Sequence, residues 1–95
     1  MNVQPFGPGA SHAISASGTS ASQAVNANVN TIRCVNNTGQ VAFVRFTVGA
    51  STALTTDMPM LNGTVEVFTK GNADTVSVIL GSSSGTFYVT EGEGA

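Results

Sequence analysis

Val41-Ala42-Phe43-Val44-Arg45-Phe46-Thr47-Val48 decides how this chain reads. Ala42, Val44, Phe46 and Val48 alternate with Phe43, Arg45 and Thr47. A period of two places the two sets on opposite faces of an extended strand. Just before it, Thr31-Ile32-Arg33-Cys34-Val35-Asn36 is a second run rich in β-branched residues, which stiffen the backbone toward the pleated conformation. Asn37-Thr38-Gly39 lies between them and supplies residues that tolerate positive φ. Residues 31–48 therefore read as a hairpin, with Arg33 and Arg45 close across the pair.

The same grammar continues downstream. Thr64 to Lys70 alternates Val65, Val67 and Thr69 against Glu66, Phe68 and Lys70. Thr75 to Leu80 sets Val76, Val78 and Leu80 on one face, and Thr86 to Thr90 returns with Phe87 and Val89 inward. Asn62-Gly63, Gly71 to Asp74 and the five residues Gly81 to Gly85 are the turns, the last read as a hairpin loop. Gly49 to Met60 is a longer connection with a short edge strand expected at Thr52 to Leu54, and Met58 and Met60 pack around Pro59. Upstream, Ala13 to Ala16 and Ala21 to Val25 are two weak strands around Gly18. No window shows helical periodicity. Short strands at regular spacing predict an all-β fold, a small antiparallel β-sandwich, Ig-like or jelly-roll, of six to eight strands with an extended N-terminal arm.

Organisation follows from composition. Residues 1–11 form the arm: Pro5 and Pro8 fix φ, Gly7 and Gly9 loosen the chain, and Phe6 is its aromatic handle. Residues 12–90 are the sandwich and residues 91–95 a short acidic tail. The 95 residues make one domain. Twelve Val, three Ile, three Leu and no Trp give a thin core, so assembly with other chains is expected to add apolar burial that the monomer lacks.

Only 8% of residues are charged and the net charge is −2, against about 25% charged in an ordinary domain. Three basic residues leave no footprint for nucleic acid. No apolar run is long enough for a membrane helix, and Met1 to Pro5 carries no secretion signal. The sequons at Asn36 and Asn62 read as turns.

The search for chemistry returns little. His12 is the sole histidine and stands in a segment of small residues with no nucleophile elbow, so it reads as an exposed polar residue near a strand start. Cys34 lacks a cation on its own strand face and reads as a small buried hydrophobe. Glu91 and Glu93 are too few for the oxygens a calcium site takes, and the carboxylates come without the stacking aromatics of a sugar-cleaving site. The chain is expected not to be an enzyme and to need no metal or cofactor. Arg33 and Arg45 stand out in so uncharged a chain. They read either as solvated residues, Arg45 opposite Glu66, or as interface residues through the guanidinium fork.

Val3-Gln4-Pro5-Phe6-Gly7-Pro8-Gly9, Val41 to Phe46, Asp57-Met58-Pro59 with Gly63 to Phe68, and the ending Phe87 to Gly94 together resemble small β-rich virion structural proteins of tailed bacteriophages. The resemblance implies a head decoration or cement protein. Such a protein is a β-sandwich, often a homotrimer, on the capsid surface, with the major capsid protein as its partner. Its interface would draw on Pro5, Phe6, Pro8, Arg33 and Arg45. A tail, neck or fibre module, and a carbohydrate-binding sandwich using Tyr88 or Phe43, are the alternative readings.

Overall fold

The computed structural model describes residues 7–93, which form eight strands and no helix. They are β1 (Gly7–Ser17), β2 (Ala21–Ala24), β3 (Thr31–Asn37), β4 (Ala42–Thr47), β5 (Met58–Met60), β6 (Val65–Thr69), β7 (Thr75–Leu80) and β8 (Ser84–Glu93). Sheet A runs β1-β8-β3-β6 and sheet B runs β2-β7-β4-β5. Every neighbouring pair is antiparallel. The chain changes sheet at each connection except β4 to β5, the only consecutive strands bonded to one another. That order is the jelly-roll, whereas an immunoglobulin-like sandwich keeps its first two strands side by side.

Two expected hairpins are thereby corrected. β3 bonds β6 and β8 while β4 bonds β5 and β7, so residues 31–48 cross between sheets. The loop after Leu80 does the same, joining β7 in sheet B to β8 in sheet A. Turn residues encode a reversal of direction; they do not encode whether the returning strand stays in the same sheet. Both strands of each pair have an inward apolar face, and facing each other across the core buries both.

The expected inner faces are where the alternation put them, except that Val48 lies past the end of β4 and is exposed. Ile32, Cys34, Ala42, Val44, Val76, Val78, Leu80, Phe87 and Val89 form the core with Ile14, Ala16 and Met60. Phe46 and Phe68 close one flank with ring centroids 5.3 Å apart. No strand forms at Thr52 to Leu54; the edge strand is β5, three residues built around Pro59, which has no N–H to donate.

The ends of the chain also differ from expectation. Residues 7–11 of the arm and 91–93 of the tail are strand, and they pair with each other: Gly7 lies opposite Glu93 and Ser11 opposite Thr90. The boundaries placed after residues 11 and 90 therefore fall inside β1 and β8. Pro5 and Phe6 lie outside the described residues.

Buried polar groups tie the loops at the two ends of the sandwich. At one end the fully buried Asn36 amide donates to Gln40 O (2.9 Å) and Met60 O (2.8 Å) and accepts from the Thr38 amide and hydroxyl. Its sequon is thus closed to modification in the folded chain. Beside it, a Cβ on Gly85 would meet Thr38 Cα and O at 2.5 Å, so only glycine fits in β8 at that point. At the other end the buried Lys70 ammonium donates to Asn26 O (2.7 Å) and Ala73 O (2.8 Å).

Candidate functional site

The outer faces of the two sheets are built differently, and the difference locates the candidate site. On sheet B, strands β2, β7 and β4 present Ser22, Ser77 and Arg45 at one level. Residues 48–57, the long connection from β4 to β5, fold back over them as a strap. The Ser51 carbonyl accepts from Ser22 Oγ (3.2 Å) and Ser77 Oγ (3.1 Å), and Ala53 N–H donates to Ser20 Oγ (2.8 Å). Arg45 Nε and Nη2 donate to Asp57 Oδ1 at 3.1 and 3.0 Å, while Asp57 Oδ2 accepts from Leu54 N–H at 2.7 Å. Ser77 and Ala53 are 0% exposed as a result.

No segment among the described residues covers sheet A in this way. Register places Ala13, Tyr88, Val35 and Val65 in one rung across β1, β8, β3 and β6. The next rung is Ser11, Thr90, Arg33 and Val67. Val65, Val67 and Tyr88 stay 47%, 42% and 41% exposed. The carboxylates of Glu66 and Glu91 fall on the inward parity, opposite Cys34 and Ile32. Arg33 is therefore the one charge on this face among the described side chains. One Tyr and one Arg, residue types that interfaces favour, stand there among Val, Ser and Thr, with no Lys, Glu or Asp among the described side chains of the face.

The sequence-predicted residues divide between these faces. Arg33 is exposed on sheet A, opposite Val67 and Thr90. Arg45 is on sheet B, opposite Ser77, and its fork is held by Asp57 within the chain. The two arginines, expected side by side, belong to opposite faces because their strands are in different sheets, and Glu66 is not the partner of Arg45. Pro8 pairs through its backbone position with Gly92 at a bulged end of β1.

His12 is not the exposed residue the sequence suggested, nor Glu91 part of a solvated tail. Both point inward from sheet A, and His12 Nε2 lies 2.7 Å from Glu91 Oε2, with Glu91 buried. A His–carboxylate pair is two members of a catalytic triad, but the nearest hydroxyls in register, Ser11 and Thr90, bond each other at 2.7 Å on the opposite face. The arrangement fastens β1 to β8. No sequence signal could have found it, since it depends on pairing residues 79 apart. Burial, reinforced by the Glu66 charge, pushes the Cys34 thiol up to about 12, which keeps it protonated and unreactive. No three His, Cys, Asp or Glu among the described residues gather to hold a metal ion.

Asp57 and Asp74 both sit below the usual carboxylate range. For Asp57 the largest cause is the Leu54 N–H bond, followed on the lowering side by Arg45. For Asp74 it is the Gly49 N–H, at 2.8 Å, then the Thr75 hydroxyl. The two acids thus brace the strap, Asp74 where it leaves β4 and Asp57 where it enters β5.

Comparison with protein-family models, curated proteins and solved structures finds no match to this chain.

Proposed function

We propose that this protein works by assembly: a non-enzymatic decoration or cement protein on the capsid of a tailed bacteriophage, with the major capsid protein as its partner. The observation that carries the reading is the outer face of sheet A, which no described segment covers and where Tyr88, Val35, Val65 and Val67 share two adjacent rungs with Arg33. A patch of this kind on a chain with so few charges is a contact surface, since apolar area left in water gains free energy when a partner covers it. The resemblance to small phage virion proteins supplies the setting. The jelly-roll, a fold used by viral capsid and lectin domains among others, is compatible with it, as an analogy of architecture only. In this role, each docked copy adds contact across a subunit junction, and the increments sum over the shell.

The test is addition of purified protein to expanded capsids that lack decoration, followed by the number of copies bound and the temperature at which the shell ruptures. Binding with a raised rupture temperature, both lost in Val35→Asp, is the expected result. Wild-type protein that does not add to capsids overturns it. Removing residues 2–6 measures what Pro5 and Phe6 contribute; residues 7–11 stay, because β8 needs them as a pairing partner.

One observation favours a second reading. Tyr88 is exposed on an open sheet face, which suits a ring that stacks on a sugar. Binding on a glycan array, abolished by Tyr88→Ala, would move the protein from shell contact to host attachment.

A further inference from the structure

We propose that a second copy of this chain docks face to face on the outer face of sheet A, about a two-fold axis that runs along the gap between β8 and β3. This rests on the reading of that face as an assembly surface and names a second copy as its occupant in protein free of the shell, to be displaced where capsid protein takes the same face. Three features of the face argue for it.

The first is size. Four strands about 4.8 Å apart and 5 to 11 residues long give a footprint of roughly 500 Å². Two such faces bury roughly 1,000 Å² or more, at the lower limit for a specific interface. The second is charge. Arg33 is the single charge of the face among the described side chains, so a second copy brings one more arginine, and the axis decides whether the two like charges meet. An axis along the strands keeps them apart: it preserves height along the strand and exchanges β3 with β8. Arg33 then lies over Thr90 of the second copy, because Arg33 and Thr90 share a rung.

The third is volume. The same axis lays Tyr88 over Val35 of the second copy, and Ala13 near Val65 of the second copy, since all four share one rung. The largest side chain meets a medium one, and the smallest meets a medium one. Interfaces fill in this way, with large and small side chains opposed. An axis across the strands instead stacks Tyr88 on Tyr88 and leaves a hollow where Ala13 faces Ala13. Packed sheets prefer strands within about 30° of parallel, which the along-strand axis allows.

Sedimentation velocity on the full chain tests the occupant. The expected result is a concentration-dependent dimer with a dissociation constant of roughly 1–100 µM, as suits so small an interface. Val35→Asp and Arg33→Glu should each sediment as single chains with an unchanged β-sheet circular dichroism spectrum. The geometry is tested by a short thiol linker on Ala13→Cys, Val65→Cys and the double variant. Within one chain these positions are three strand spacings apart, about 14 Å, so a shorter linker joins them only between copies. The double variant should give covalent dimers, and each single variant should not.

A wild type that is monomeric throughout, or trimeric, overturns the proposal. So does a single-cysteine variant that cross-links as well as the double. If the monomer nevertheless adds to capsids and Val35→Asp does not, the second copy is refuted while the face remains the capsid contact. If the dimer forms and Val35→Asp adds to capsids normally, the second copy stands and the face is not where the shell binds.

Discussion

On the outer side of sheet B, Ser77 is 0% exposed beneath the chain's own strap; on the outer side of sheet A, Tyr88 keeps 41% of its surface in water. The contrast runs against what a solitary protein would do. The Ser77 hydroxyl is covered by residues 48–57, and Ser22 and Arg45 are bonded to them, whereas valines and a tyrosine on the other sheet stay in water. The strap can cover sheet B because its backbone supplies what that face needs: the Ser51 carbonyl for two hydroxyls and an ion pair through Asp57 for Arg45. No segment among the described residues supplies sheet A with an equivalent. The rung of Ser22, Ser77 and Arg45 is satisfied within the chain; the rung of Ala13, Tyr88, Val35 and Val65 is the one the proposal covers from outside.

The strongest way to break this comparison is a charge on each face. Val35→Asp, at the centre of sheet A, should weaken assembly about 100-fold or more, some 3 kcal/mol, while thermal unfolding moves little because Val35 contributes nothing to the core cluster. The same change in stability and assembly together would mean that sheet A is part of the monomer's own packing. A gentler version uses the two arginines. Arg33→Ala should weaken assembly about tenfold, the range of an interface arginine that is no major hot spot. Arg45→Ala should leave assembly unchanged and loosen the strap, read as faster amide exchange at Leu54 and Ala53. Equal loss of assembly in both variants would erase the distinction between the faces.

Acid should loosen the strap of sheet B. A carboxyl whose folded pKa is lowered adds stability that is fully present above the ordinary carboxylate value of about 4 and is lost as pH falls through the folded value. Asp57 and Asp74 are both of this kind, and both hold the strap. As pH falls below about 4 the amides of Leu54 and Gly49 should lose protection relative to those of β3. Protection that falls equally in both sheets would mean global acid unfolding, not release of the strap.

How much of this the sequence could carry depends on what each residue encodes. Alternation placed Val44, Val76, Val78, Phe87 and Val89 in a core because a period of two is a local property of the strand. It could not assign strands to sheets. Asn37 to Gly39 and Gly81 to Ser83 reverse the chain whether it stays in its sheet or crosses, and the two arginines were misplaced together for that reason. β1 was seen only in part, since Gly7 to Ser17 offers Ile14 and Ala16 as its inward apolar groups and is held chiefly by its ladder to β8. The bare face was invisible for a different reason. Val65 and Val67 alternate as Val76 and Val78 do, and only the position of their strand at the sheet edge and the parity of its pairing with β3 turn them outward. Arg33 was legible as a candidate, because a charge is conspicuous in a chain with eight.

The smallest expected effect sharpens the account of the strap itself. Ser51 braces sheet B through its main-chain carbonyl, yet its own Oγ is the one buried side-chain polar atom among the described residues without a hydrogen-bond partner. A buried hydroxyl that makes no bond costs about 1–3 kcal/mol of desolvation relative to an apolar group in its place. Ser51→Ala removes the hydroxyl and leaves the carbonyl where it is. The variant should therefore unfold in urea at an equal or higher midpoint, with a gain of about 1 kcal/mol at most and no change in slope. The hydroxyls of Ser22 and Ser77, which donate to that carbonyl, should behave oppositely, each replacement by Ala costing about 1 kcal/mol. If Ser51→Ala is instead the most damaging of the three, the strap is held by a side chain and not by its backbone. Sheet B would then be covered because of what Ser51 is, and any other residue there would leave it as bare as sheet A.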